Sequence, residues 1–233
     1  MALAFITGGS RGLGYATAKG LKDKGFELVI FSKQSDRLQS AAAELGAHYE
    51  VVDLEDLPRT SEVFKSAIEK YGVPDVLMLA HGVMSDRMAK TLKTNLAEWR
   101  RVMTINLDSV FVIVNLVGAA MAEARKGRII MYSACLGRMS GPGNAGGLAP
   151  YRISKAGVNA LVRNLSHEVG HGARGLWVDA ICPNHSRTDM GGPDAPRSAD
   201  EGAETAIWLA TRELTPGATQ TGLLWEDREV VPW

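Results

Sequence analysis

Short apolar runs alternate along this chain with longer stretches in which apolar positions recur at helical spacing. The runs Leu3–Thr7, Glu27–Ser32, His48–Val52, Val76–Ala80, Arg128–Ser133, Leu176–Ile181 and Gly222–Trp225 leave no room for surface alternation, which predicts strands of a parallel sheet covered on both faces. Between them the spacing predicts helices over Leu13–Lys24, Asp36–Leu45, Ser61–Tyr71, Leu96–Arg125, Tyr151–His171 and Ala199–Ala210. Two of these starts carry an N-cap oxygen three residues before a carboxylate, Asn95 with Glu98 and Ser198 with Glu201. The βα alternation predicts an α/β fold, one doubly wound parallel sheet with helices on both faces, formed by a single domain over residues 1–233. Such sheets take ligands beyond the carboxyl ends of their strands, so the chemistry belongs in the loops that follow them.

Composition narrows the function classes. A chain of 233 residues with 45% apolar content can bury about 70% of its unfolded surface in one core, without disulfide or structural metal. Cys135 and Cys182 therefore read as reduced cysteines of a cytoplasmic protein. The 26 basic residues are balanced by 26 acidic ones and form no run, which argues against nucleic acid or an anionic membrane as partner, since that affinity comes from phosphate neutralisation. No stretch of consecutive apolar residues reaches the ~18 of a membrane span. The N-terminal MALAFITGG lacks the charged region of a signal peptide. No repeat, low-complexity tract or linker divides the chain.

Twenty-five glycines exceed the roughly 7% of an average chain, and several cluster where the first strand meets the first helix: Thr7-Gly8-Gly9-Ser10-Arg11-Gly12-Leu13-Gly14. In that position glycine permits a tight turn, lets backbone approach a pyrophosphate and lets the helix pack closely, while the helix N-terminus offers free N–H groups. The loop predicts a dinucleotide site. After the second strand the chain reads Phe31-Ser32-Lys33-Gln34, with no carboxylate to bind a ribose 2′-hydroxyl. Lys33 and Arg11 are placed instead to form a cationic clamp, which selects NADP(H) over NAD(H). Asp53, past the third strand, is a candidate acceptor for the adenine amino group, or else a turn residue.

Tyr151 and Lys155 stand four apart at the start of a helix and so share a face. An ammonium beside a phenol favours the phenolate and draws its pKa from near 10 toward the range of a general acid or base.

Taken together, TGGSRGLG, Asp53-Leu54, Asn106 within Ile-Asn-Leu, the strand GRIIMYS, the YRISK segment, and Pro183 followed by Arg187-Thr188-Asp189-Met190 resemble the short-chain dehydrogenase/reductase family in order and spacing, over essentially the whole chain. The tail looks most like its carbonyl-reductase-type members. The resemblance implies a Rossmann-like fold and an NADPH-dependent reductase of a ketone, aldehyde or quinone-like carbonyl. Tyr151 would donate the proton, Lys155 would lower the pKa of Tyr151 and hold the nicotinamide ribose, and Asn106 would sit at a helix irregularity in a proton relay. Thr188 would hold the carboxamide. Gly8, Ser10, Arg11, Gly12, Leu13, Gly14, Ser32, Lys33, Asp53, Leu54, Gly82, Pro183 and Thr188 would line the cofactor site. No metal is implied. Family members often pair through long helices equivalent to Leu96–Arg125 and Tyr151–His171, while the insertion Ser140–Ala149 could block one such surface, so a homo-oligomer is one possibility and the oligomeric state stays open.

Three departures qualify this picture. The family's second serine after the fifth strand is replaced by Ala134, and Ser133, pointing to the opposite face of a regular strand, could take its role only through a twist or bulge. Ser140 and Cys135 are the nearest other polar side chains. The family's Asn-Asn-Ala-Gly becomes Leu79-Ala80-His81-Gly82, with His81 either near the nicotinamide or bonded to backbone. Pro-Gly becomes Pro183-Asn184, a mild change because Asn tolerates positive φ. Ala134 and the LAHG segment motivate an alternative, an NADP-binding member with isomerase or cyclase chemistry, or a regulatory role.

Two other motifs are set aside. His167-Glu168-Val169-Gly170-His171 matches HExxH but lacks a third ligand and reads as a solvated helix end. Ser133 lacks the glycines of a hydrolase elbow. The loop residues Met84, Met139, Leu148, Pro150 and Met190 are expected to surround an apolar or aromatic carbonyl substrate.

Overall fold

Along each inner strand, successive side chains enter two different cores. Phe5, Phe31, Leu77 and Met131 point to one face, where they meet Phe64, Val110, Ile113 and Val162, and their neighbours Ile6, Ile30, Met78 and Ile130 point to the other, against Leu21, Leu38, Ala206 and Leu209. Both faces are covered, which is why the strands show no polar alternation. Phe31 stacks on Phe64 at 4.4 Å between ring centroids and meets Phe5 edge-on at 5.4 Å.

The computed structural model describes residues 1–86, 89–141 and 145–233. Among these the strands are β1 (Leu3–Thr7), β2 (Glu27–Ser32), β3 (His48–Val51), β4 (Val76–Leu79), β5 (Gly127–Tyr132), β6 (Leu176–Ile181), β7 (Leu224–Glu226) and β8 (Glu229–Val231). They form one sheet in the order β3-β2-β1-β4-β5-β6-β7-β8, parallel throughout except for β8. The helices are α1 (Gly12–Asp23), α2 (Ser35–Leu45), α3 (Leu57–Tyr71), α4 (Leu96–Glu123), α5 (Ala149–Glu168) and α6 (Ala199–Thr211). Ser198 and Glu201 close a full capping box on α6, whereas Asn95 accepts from the Glu98 N–H without the reciprocal bond.

The sequence expectations are corrected at several edges. β3 lies at the rim, with Tyr49 and Val51 exposed, and is not a strand buried on both faces. β8 was not anticipated. It returns through Asp227 and Arg228, both at positive φ, as a two-residue hairpin of primed type. α3 begins a turn early, capped by Asp56, because Pro58 falls in the first turn, where proline costs the helix no hydrogen bond. α5 ends at Glu168 because Gly170, at φ +79°, leaves helical geometry. α4 contains two π-helical turns, Thr104–Asp108 and Val114–Gly118. By length and composition α4 could cross a membrane, but Val110, Ile113, Val114, Val117 and Met121 belong to the sheet's core.

Beyond β6 the sheet is anchored by one buried carboxylate. Asp179 accepts from Arg212 at 3.1 Å, the Trp225 indole at 3.0 Å and the Leu223 amide at 3.2 Å. Burial pushes its carboxyl pKa up, against the pull of these partners. The Arg212 guanidinium lies 4.8 Å from the Trp208 ring and 4.7 Å from that of Trp225. Asp179→Ala should cost about 3–5 kcal/mol in urea unfolding, because it strands a buried cation; a loss under about 1 kcal/mol would show that the pair acts as a surface bridge.

Candidate functional site

The carboxyl ends of β1, β4, β5 and β6 open into a cleft of about 980 Å³. Its floor is the glycine loop. Gly8, at φ +68°, donates to the Phe31 carbonyl at 2.8 Å, and a Cβ there would stand 3.2 Å from the Ala80 oxygen. A Cβ on Gly14 would stand 2.2 Å from the Gly8 oxygen, so α1 can approach β1 only with glycine there. No side chain caps α1, leaving its first amides for an anionic ligand. Gly8, Ser10, Arg11, Gly12, Leu13 and Gly14 all line this part of the cleft. A dinucleotide fits it, with its pyrophosphate at the start of α1.

At the end near β2 and β3 the cleft is lined by Ser32 and Lys33 after β2 and by Asp53 and Leu54 after β3. The Ser10 hydroxyl donates to Ser32 at 2.9 Å, joining the glycine loop to the end of β2. The expected clamp is already compensated: Lys33 lies 3.6 Å from Asp53, and Arg11 pairs with Asp189. Asp53 also accepts the Glu55 amide at 3.1 Å, a turn bond. Arg37, in the first turn of α2, reaches Asp189 at 3.5 Å. The sequence reading missed this arginine, although its position four residues after Lys33 could have marked it.

The opposite end holds the catalytic candidates. Tyr151 and Lys155 line the cleft, 6% and 5% exposed. The Lys155 ammonium lies 6.0 Å from the Tyr151 ring centroid and donates to the Tyr132 carbonyl at 2.7 Å. Burial lowers Lys155 to about pH 8. Tyr151 departs from the sequence expectation: burial, and after it the charge of Cys182 and Cys135, pushes its pKa up, so the phenol keeps its proton at neutral pH. Gly82 adjoins both Lys155 and Asn106, since a Cβ there would lie 3.4 Å from the Lys155 ammonium and from the Asn106 amide oxygen.

Asn106 sits in the first π turn of α4 and is fully buried. Its amide clamps Val83 from both sides, accepting its N–H at 2.8 Å and donating to its carbonyl at 2.9 Å, and it donates to Ser154 at 3.1 Å. It therefore shapes the wall behind Gly82 and is not among the residues lining the cleft. Pro183 and Thr188 line the roof, and Asn184 adopts φ +57° in place of the family's glycine.

Ser133 borders the cleft, but its hydroxyl donates to Asn159 at 2.5 Å and approaches the Lys155 carbonyl at 3.3 Å. That bonding ties β5 to α5 and directs the hydroxyl away from the role considered for it. Ala134 presents a methyl group to the cleft. Ser140 is also committed, to the Trp233 carbonyl at 3.2 Å. Cys135 and Cys182 both line this end as free thiols. The Cys182 thiol hydrogen-bonds Cys135 and draws its pKa down, while the same bond and burial push Cys182 up. Of the expected apolar loop residues, Met84 and Met190 line the cleft and Met139, Leu148 and Pro150 do not.

His81 is bonded to side chains and not to backbone alone. Its Nδ1 lies 2.6 Å from the Thr7 hydroxyl and its Nε2 lies 2.9 Å from that of Ser109. Ser109 gives its proton to the Ile105 carbonyl at 2.7 Å, so it accepts from Nε2–H, and Thr7, which accepts the Ala80 amide at 3.1 Å, donates to Nδ1. One neutral tautomer thus joins β1 to α4 beneath the cleft. Burial, and after it the Lys155 charge, holds His81 at about pH 3. Away from the cleft lining, His167 in the last turn of α5 and His171 just past it bond each other at 2.9 Å, and among the described residues no group of three metal-ligating side chains occurs.

The sequence profile of the short chain dehydrogenase family matches residues 2–199. A 3-oxoacyl-[acyl-carrier-protein] reductase of Escherichia coli K12 is 31% identical over 190 residues, covering 81% of this chain and 75% of that protein. A Brucella melitensis 16M structure described as a ribose-5-phosphate isomerase superposes with a TM-score of 0.84 at 25% identity, over 96% of this chain and 89% of the other. A variant of a Serratia marcescens short-chain dehydrogenase/reductase shares the fold at 23% identity, with a TM-score of 0.83 over 96% of this chain and 94% of its own. This chain belongs to the short chain dehydrogenase family.

An imidazole held at about 3 in the fold, against 6.5 when free, takes its proton first in the unfolded chain. Its contribution to stability is therefore complete above about pH 6.5 and is lost as the pH falls toward 3. Urea unfolding of the parent and of His81→Gln across pH 7 to 4 should show the parent's advantage shrinking with acidity, whereas a constant difference would mean that His81 does not titrate as placed.

Proposed function

We propose that this protein reduces the carbonyl of a small apolar or aromatic ketone, aldehyde or quinone-like molecule with NADPH. The observation that carries this reading is the pairing of a buried, protonated Tyr151 with Lys155 on the wall of a cleft whose other end is a glycine loop. NADPH, when bound, supplies a hydride to the carbonyl carbon. Tyr151 hydrogen-bonds the carbonyl oxygen and gives up the phenolic proton as negative charge develops there. Lys155, cationic below about pH 8, stabilises the phenolate left behind and holds the nicotinamide ribose. Asn106 holds Val83 and the adjoining Gly82 in place beneath them. Gly8, Gly12 and Gly14 would admit the pyrophosphate, and Lys33 and Arg11 would hold the adenosine 2′-phosphate.

The apolar residues Met84, Leu136 and Met190 line the open side, so a 3-oxoacyl thioester, the substrate class named for the Escherichia coli relative, belongs in the first panel of carbonyls tested. Free thiols at the site suit a reducing, cytoplasmic setting. A second copy packed on α4 and α5 would cover the exposed Phe111 and Ile153; the insertion that bears on this pairing lies partly outside the described residues.

Ala134 favours a second reading. Without the hydroxyl that usually steadies the oxyanion, the same phenol could serve isomerisation or cyclisation with no net hydride transfer. NADPH consumption against aromatic, aliphatic, quinone and 3-oxoacyl carbonyls separates the two. Tyr151→Phe should lower kcat/KM about 10²- to 10⁴-fold while leaving NADPH binding intact. The parent's kcat/KM for reduction should decline above about pH 8 as Lys155 loses its proton. Turnover unchanged in Tyr151→Phe would refute the assignment, and tight NADPH binding with no oxidation by any carbonyl would favour the second reading.

A further inference from the structure

Three cations converge where the glycine loop meets the end of β2: Arg11 at the start of α1, Lys33 after β2, and Arg37 in the first turn of α2. Two carboxylates have been brought to them. Asp53 faces Lys33 at 3.6 Å, the expected neighbour at an adenosine site. Asp189 arrives from the far side of the cleft, on the loop that follows β6, and reaches Arg11 and Arg37 with the same oxygen.

Its position is built and not incidental. The Thr188 hydroxyl accepts the Gly191 amide at 3.1 Å and the Thr188 carbonyl accepts that of Gly192 at 2.8 Å, so a tight turn presents the carboxylate. Thr188 itself rests on the glycine loop, its Cγ2 3.2 Å from where a Cβ of Gly12 would lie. The loop is therefore seated against the glycine turn with the Asp189 carboxylate held at the two arginines.

We infer that Asp189 sets the cofactor preference of this cleft by acting as an internal anion that competes with the adenosine 2′-phosphate for Arg11 and Arg37. A 2′-phosphate must detach those guanidinium groups from Asp189 before it gains them, whereas a ribose 2′-hydroxyl carries no charge and makes no such demand. Asp189 thus narrows the preference for NADPH that the three cations would otherwise give. Arg37 is the reserve half of the clamp, held by the aspartate until the phosphate arrives. The inference rests on the NADPH reading but is tested apart from it.

Dissociation constants for NADPH and NADH, read by quenching of tryptophan fluorescence, provide the test without any substrate. Asp189→Asn should tighten NADPH about threefold to tenfold, the range open to a pair of exposed ion pairs, and change NADH by less than about twofold. The gain should shrink in 1 M salt, where the Debye length falls to about 3 Å. Arg37→Gln should weaken NADPH more in the Asp189→Asn background than in the parent, because only there is Arg37 released. Unchanged NADPH affinity in Asp189→Asn, an equal gain for NADH, or an equal cost of Arg37→Gln in both backgrounds would overturn the inference. Equal affinities of the parent for both cofactors, with a gain for NADPH alone in the variant, would retire the NADPH reading and leave the role of Asp189 standing.

Discussion

The site depends on where β1 lies. It runs between β2 and β4, pairing in parallel with both, and the chain's helices leave those neighbours toward opposite faces of the sheet. At this reversal the strand ends part and a crevice opens above β1, which no helix covers. The backbone at its mouth is held from both sides: Gly8 is hydrogen-bonded to Phe31 of β2 and packs against Ala80 and His81 beyond β4. A side chain at Gly14 would push α1 away and take the first-turn amides out of reach of a phosphate. The fold therefore makes this crevice as a consequence of strand order, with glycine required where helix and strand come closest.

Once the crevice exists, polar links from the two long helices keep its walls in register. Asn106 and Ser109 reach from α4 to Val83 and His81, while Lys155 and Asn159 reach from α5 to Tyr132 and Ser133. These groups are buried, and each would be costly if left alone. The π turn at Thr104–Asp108 matters here because it shifts the helix face, letting Asn106 address the wall while Ser109 addresses His81. The bonds also fix proton positions. With its own proton spent on Ile105, Ser109 faces His81 as an acceptor, and burial, then the Lys155 charge, keeps the imidazole neutral.

Elements set by burial were legible in the sequence, and elements set by pairing were less so. The inner strands declared themselves through unbroken apolar runs, and the helices through their spacing and the Ser198 box. β3 was misjudged as fully covered because a rim strand can carry the same β-forming residues, and β8 escaped because its signal is a turn at Asp227 and Arg228 more than a hydrophobic run. The glycine loop, Tyr151, Lys155 and Asn106 were readable because each is a residue type that its position requires. Direction was not. Ser133 looked like a possible donor until its hydroxyl was found turned to Asn159, and Arg11 looked like a free cation although Asp189, far along the chain, is its partner. Contacts across such sequence distances come from tertiary packing, which no local pattern encodes.

The replacement of a serine by Ala134 can be weighed against the charges that surround it. A missing donor to a developing oxyanion costs about 100-fold or more, and the two serines nearest in sequence do not replace it, since Ser133 and Ser140 donate elsewhere. What the cleft does offer is a phenol made reluctant to ionise, above all by burial. Reluctance keeps the proton in place when a hydrogen bond to a carbonyl is made, but it also makes that proton harder to give up. Lys155, buried but still cationic below about pH 8, favours the phenolate only once that proton has moved. The arrangement therefore leans on Lys155: a phenol that holds its proton this firmly would pass it to a substrate oxygen only where the neighbouring ammonium steadies the phenolate.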